Sequence, residues 1–213
     1  TKNSATYGSG SAAYLPSKVT DSSGNETNYG YDGPGNRTST ATGGSGPEAA
    51  KAELEYNKKG TDPYAWGAVK SATAPGDGDR KTTYSYDTHD QLLAITAPAN
   101  TVGEQKYSYD DFGRVKNHTD GDGGVTTYSY DNDDRLLTTS FDDGTATVTN
   151  TYDGNGNQLT EQSATGTITN TYDQRNRLTS TVNTAGGGTV SYGYDLAGNT
   201  AKVTDAHGTV THD

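Results

Sequence analysis

Along much of the chain, polar residues alternate one for one with tyrosine or β-branched residues. In VTTYSY (125–130), KTTYSY (81–86) and VSYGY (190–194) a period of two places a pair of tyrosines on one face and threonine or serine on the other. Aromatic and β-branched side chains suit a pleated, half-covered surface, so each such run predicts a strand. The pairs are Tyr29/Tyr31, Tyr84/Tyr86, Tyr107/Tyr109, Tyr128/Tyr130 and Tyr192/Tyr194.

Each run is followed by a punctuating tetrapeptide: DGPG (32–35), DDFG (110–113), DGNG (153–156) or DLAG (195–198). Asp at the first position of a type I turn accepts a bond from a backbone N–H two residues on, and Gly at the fourth tolerates positive φ. In DNDD (131–134) and DQRN (173–176) Asp or Asn stands in for Gly, and these are the next most tolerant residues there. A second short strand is predicted after the turn, as in RVKNHT (114–119), RLLTTSF (135–141) and RLTSTV (177–182). A looser glycine-rich reversal such as DGDGG (120–124) or TAGGG (184–188) completes the unit.

The second tyrosine of each unit recurs at Tyr86, Tyr109, Tyr130, Tyr152, Tyr172 and Tyr194, 20–23 residues apart. Tyr31 is a further clear copy, and Tyr7 and Tyr56 head degenerate ones. The expected structural residues of the repeat are therefore Tyr31, Asp32 and Gly35; Tyr86 and Asp87; Tyr109, Asp110, Gly113 and Arg114; Tyr130 and Asp131. Tyr152, Asp153 and Gly156, Tyr172 and Asp173, and Tyr194, Asp195 and Gly198 continue the series. The fold class this predicts is all-β: antiparallel hairpins of about 22 residues paired into one long sheet. Tyrosine pairs of adjacent units would stack as a ladder that substitutes for a bulk core.

The whole chain, 1–213, reads as a single array: repeats over 1–42, an irregular or degenerate repeat over 43–80, and regular repeats over 81–213. Within the irregular part, PEAAKAELEYNKKG admits a helix between Ser45 and Gly60. The alternation of Ala52, Leu54 and Tyr56 with Glu53 and Glu55 favours a strand, with NKKG (57–60) as its turn. Trp66, the sole tryptophan, is expected to pack on the sheet or plug an opening.

Only 28% of the 213 residues are apolar, well below the level usual in globular proteins, and the net charge is −11. A large oily core is excluded, while the 16 tyrosines and the strict patterning argue against a structureless coil. Without cysteine there is neither a disulfide framework nor a thiolate site. The acidic balance disfavours nucleic acid, and no apolar run is long enough to span a bilayer. The lack of any methionine leads us to expect an excerpt from a longer protein.

YSYDDFGR (107–114), with its blurred copies YGYDGPGNR, YSYDNDDRL and YGYDLAGNT, resembles the YD repeat of the Rhs family. That family includes wall-associated polymorphic toxins of bacteria, the B and C components of Tc toxins, and the teneurins. The resemblance implies hairpins wound as a spiralling sheet into a hollow shell, which encloses a cargo domain in the toxins and serves as an extracellular scaffold in teneurins. It further implies a secreted or cell-surface location, and as partners the neighbouring repeats or a cargo domain of the parent chain. The self-cleavage motif resembling DPxGL with which Rhs toxins end their repeats is not matched: the only Asp-Pro is Asp62-Pro63, in TDPYAWG, and no protease residue is carried over.

No residue pattern predicts catalysis, a cofactor or a metal. DGDGG (120–124), DGNGN (153–157) and GDGDR (76–80) resemble calcium loops. In DGNGN, however, Gln158 and Ala164 stand where the sixth-position glycine and twelfth-position glutamate belong. His89, His118, His207 and His212 lack ligand spacing. Sequons at Asn25, Asn36 and Asn117 matter only in a eukaryotic secretory pathway. The expected function is a structural scaffold of an extracellular Rhs-type protein, building part of a shell. The alternative is an adhesion, fibre-forming or carbohydrate-binding module that uses the tyrosine rows or associates through unpaired sheet edges.

Overall fold

The structure is a computed structural model that describes residues 2–10, 13–43, 50–76, 80–98 and 102–212. Two compact units share it: one runs to Ser108 and includes Asp120–Gly123, the other holds Tyr109–Thr119 and Gly124 onward. In the first unit the strands are β1 (Ser4–Tyr7), β2 (Pro16–Thr20), β3 (Glu26–Tyr31), β4 (Arg37–Thr42) and β5 (Ala50–Tyr56). They continue as β6 (Val69–Thr73), β7 (Lys81–Tyr86), β8 (Leu92–Thr96) and β9 (Gln105–Tyr109), whose last residue belongs to the second unit. The second unit has β10 (Val115–Thr119), β11 (Val125–Tyr130), β12 (Leu136–Phe141), β13 (Val148–Tyr152) and β14 (Gln158–Ser163). β15 (Gly166–Tyr172), β16 (Leu178–Asn183), β17 (Gly188–Tyr194), β18 (Thr200–Asp205) and β19 (Gly208–Thr211) complete it.

Within each unit every strand pairs antiparallel with its neighbour in the chain, β1 through β9 and β10 through β19. The protein is all-β, built of repeated antiparallel hairpins. The alternation read from the sequence is visible in exposure: in β7 the half-buried residues are Thr82, Tyr84 and Tyr86, while Lys81, Thr83 and Ser85 face water.

Almost nothing lies in a conventional core. Among the described residues the buried apolar side chains are Ala65 and Ala94, and Asn57, Ser71 and Asn150 are buried with them. With so little apolar surface removed from water, hydrogen bonds and half-buried aromatic rings carry a larger share of the cohesion than they do in an ordinary domain.

Where the sequence admits either a helix or a strand, residues 50–56 are strand, β5, as the alternation predicts; the first residues of the rival helix, 45–49, lie outside the described residues. The turn expected at NKKG is replaced. Asn57 closes the β5–β6 hairpin against Ala68 and Gly67, so residues 58–67 form a long loop, and Lys58 rather than Asn57 starts the first reversal within it. Trp66 does not pack on the sheet: it is 54% exposed on this loop, its Nε1 donating to the Asp62 carbonyl at 2.8 Å and Lys59 Nζ lying 5.3 Å from its ring centre.

Candidate functional site

The repeat's polar residues come together at one kind of place, the tight turn after each anchor tyrosine. At Asp110 the main-chain N–H donates to Arg114 O at 2.9 Å, and Gly113 N–H returns a bond to Asp110 O at 3.0 Å. The Asp110 Oδ1 accepts the N–H groups of Phe112 and Arg114, both at 3.0 Å. The same pair of main-chain bonds closes the turns at Asp32, Asp87, Asp131, Asp153, Asp173 and Asp195. This is a type I turn followed by a left-handed residue that bulges the second strand, which is why each anchor tyrosine pairs one residue out of step, as with Tyr130 opposite Leu136. Gly113 sits at φ 82°, Asp134 at 62° and Asn176 at 59°.

The other carboxylate oxygen is held from the fifth position of the turn. Arg114 Nε donates to Asp110 Oδ2 at 2.8 Å, Arg135 Nε to Asp131 Oδ2 at 2.6 Å, and Arg177 Nε to Asp173 Oδ2 at 2.8 Å. Asn36, Asn157 and Asn199 do the same through their amides to Asp32, Asp153 and Asp195. These bonds favour the ionised carboxyl. Asp110 is drawn below the usual range first by the Arg114 side chain, and Asp173 falls to about 2 chiefly through the Arg177 side chain.

The arginines also reach forward to the next hairpin. Arg114 Nη1 donates to Asp131 O at 2.9 Å and to Asp134 Oδ1 at 2.7 Å, and Arg135 Nη1 donates to Asp153 O at 3.0 Å. Their guanidinium groups lie 4.7 Å from the Tyr130 ring centre and 5.0 Å from that of Tyr152; Arg177 lies 4.4 Å from that of Tyr194. Where Asn157 replaces arginine, its amide and that of Asn155 both donate to Asn176 Oδ1 at 3.0 Å, linking turn to turn without charge.

Seven of the anchor tyrosine hydroxyls reach back to a main-chain carbonyl of the preceding hairpin. Tyr31 donates to Pro16 O, Tyr56 to Arg37 O and Tyr86 to Val69 O in the first unit; Tyr130 donates to Val115 O, Tyr152 to Leu136 O, Tyr172 to Gln158 O and Tyr194 to Leu178 O in the second. The joints between successive tyrosines thus run through hydroxyl–carbonyl bonds and guanidinium faces. Burial pushes the Tyr86 and Tyr130 phenols up. Where the first tyrosine of the pair is replaced, Asn150 and Asn170 donate to the same carbonyls, Leu136 O and Gln158 O, that Tyr152 and Tyr172 use.

Reading the repeat from the sequence singled out Arg114 but missed Asn36, Arg135, Asn157, Arg177 and Asn199, although their shared place four residues after Asp was the signal. Asn150 and Asn170 were missed because they break the tyrosine pattern, and only their position two residues before the anchor marks them. The carboxylates of the calcium-like turns are engaged internally: Asp153 by Asn155 and Asn157, Asp120 Oδ1 by Asp122 N–H at 2.9 Å. Asp77 and Asp79 of GDGDR lie outside the described residues, among which no group of three or more metal-ligating side chains gathers. His89 and His207 each neighbour the aspartate of their own turn.

A polar sheet whose hairpins are latched turn to turn defines a class, the hairpin-repeat sheet. Residues 109–146 and 172–210 match the family described as RHS Repeat. No curated protein matches it significantly. Solved structures share its fold. A crystal structure of TcdB2-TccC3 without the hypervariable C-terminal region superposes with TM-score 0.69 at 17% identity over 90% of this chain. TcdB2-TccC3-Cdc42 gives 0.68 at 16% over 89%, and a Photorhabdus luminescens Tc holotoxin pore gives 0.69 at 16% over 90%. The chain spans 11% of the length of each of these solved chains.

Proposed function

We propose that this array is a stretch of wall in a larger, secreted Rhs-type protein, and that the wall encloses or presents a cargo domain of the same assembly. The observation that carries the reading is where the repeat's polar residues are used: the turn carboxylates, the arginines and the anchor hydroxyls bond to the adjoining hairpin or to their own turn. Such groups join hairpins rather than attend a substrate, which supports a scaffold and not an enzyme. The likeness in fold to Tc toxin chains supports a container. The anchor rings are half-buried and their hydroxyls bonded, so they offer little open platform, which weighs against sugar binding along the tyrosine rows.

The test is a cryo-EM map of the longest native form. Density for a chain held inside the repeat sheet supports the container; a sheet open to solvent on both faces, with nothing enclosed, overturns it.

A further inference from the structure

One hairpin departs from the plan. The other tight turns reverse through three residues, as between Asp110 and Arg114, but between Asn57 and Ala68 ten residues intervene. Ordering such a loop costs conformational entropy, and this one is held by bonds of its own. Asp62 Oδ2 accepts Lys58 N–H at 2.9 Å, and the Trp66 indole donates to the Asp62 carbonyl at 2.8 Å. Ala65, 5% exposed, donates its N–H to Asp90 Oδ1 at 2.5 Å.

This loop borders a cavity of about 210 Å³ lined by Asn57, Asp62, Tyr64, Lys70, Tyr84 and Ser85 among others. Asn57 is only 9% exposed, yet its side-chain amide hydrogen-bonds to no described residue. The hydroxyl of Tyr84 likewise bonds to none. The amide keeps contact with the solvent of the cavity, so its donors and acceptor are open to a polar ligand that displaces water there. Asp62 is ion-paired with Lys70 at 2.7 Å, and that pairing holds its carboxyl below the usual range, so this part of the wall carries balanced charge.

We propose that this cavity binds a neutral sugar residue of a glycan, a role beyond the scaffold reading and independent of it. The Tyr64 ring, on a side chain 39% exposed, offers a face to the C–H side of a pyranose. The Asn57 amide, with two donors and an acceptor, and the Tyr84 hydroxyl read the sugar hydroxyls. A protein partner would call for a contiguous apolar patch, whereas Tyr64 and Trp66 stand among Lys58, Lys59, Thr61 and Asp62.

Trp66 is the only tryptophan and is bonded to Asp62, a residue of the cavity wall, so its emission reports on the site. The full chain is titrated with methyl β-glucoside, methyl β-galactoside and chitobiose, with saturation-transfer NMR in parallel. The expected result is saturable binding of at least one probe, weakened about tenfold or more in Tyr64→Ala and in Asn57→Ala. The melting midpoint of Tyr64→Ala stays at that of the parent chain, and Phe112→Ala, remote in sequence and 80% exposed, leaves binding unchanged. If Asn57→Ala does not fold, Tyr64→Ala decides alone. Absence of both an emission change and saturation transfer for all three probes, or an affinity that Tyr64→Ala leaves intact, overturns the proposal.

Discussion

The guanidinium of Arg135 lies 5.0 Å from the centre of the Tyr152 ring, so the residue that closes one turn covers the anchor of the following hairpin. The same arginine holds Asp131 behind it and the Asp153 carbonyl ahead. One side chain therefore belongs to two repeats, and its loss is felt in both.

Replacing Arg135 by Ala is expected to lower the melting midpoint by about 2–4 °C, with Arg135→Lys in between, because an ammonium keeps the charge but not the planar fork that spans both turns. Arg175, on the turn tip and in no arginine–tyrosine contact, serves as the control. Circular dichroism melts of the three variants check the order; equal midpoints for all would contradict the two-repeat role.

Gly113→Val forces a β-branched residue to φ 82° and is expected to cost about 1–2 kcal/mol. Asn176→Gly, at φ 59°, relieves the same strain but removes the Oδ1 that accepts the Asn155 and Asn157 amides, so it is expected to cost less than Gly113→Val without stabilising. Urea titration of both variants measures the difference, and a smaller loss in Asn176→Gly is the outcome that fits the turn geometry.

The two tyrosines of a pair are not equivalent. Tyr130 donates to Val115 O at 2.9 Å, so Tyr130→Phe is expected to cost about 0.5–1.5 kcal/mol. The Tyr128 hydroxyl hydrogen-bonds to no described residue, and Tyr128→Phe should leave stability unchanged. An unchanged stability in Tyr130→Phe would show that ring packing, not the hydroxyl, joins the hairpins, and a loss of similar size in both would contradict the inequivalence of the pair.

Acid should loosen the array. Asp173 has its carboxyl drawn from 3.8 down to about 2 in the fold, and Asp110, Asp153 and Asp195 are lowered as well. A depressed carboxyl binds its proton more readily once unfolded, so its contribution is complete above the ordinary carboxylate range and is lost as pH falls toward the folded value. The melting midpoint is expected to drop between about pH 4 and pH 2, and Asp173→Asn to flatten part of that slope. A midpoint that climbs across this window would contradict the clamp.

Much of this architecture was legible because the repeat writes its turns in residues with a single strong preference. Asp at the start and Gly, Asp or Asn at the left-handed position forecast the reversals, and period-two tyrosines forecast the strands. What lies between hairpins was harder to read. That Arg114 would reach the carbonyl at Asp131, or that Asn150 would share an acceptor with Tyr152, depends on the stagger of neighbouring strands, which the bulge at each anchor sets and no local pattern announces. The loop at 58–67 was misread because NKKG imitates the turn motif, while the decisive partners, Ala68 and Asp90, lie further along the chain.

The back-reaching tyrosine bonds span only 14 to 19 residues, from Tyr172 to Gln158 at the short end and Tyr56 to Arg37 at the long. No distant segment has to be found before a hairpin is secured. Contact order is correspondingly low for an all-β chain, a class that ordinarily folds slowly. Each hairpin can dock on its predecessor soon after leaving the ribosome, so within a unit the newest strand is covered at the pace of synthesis.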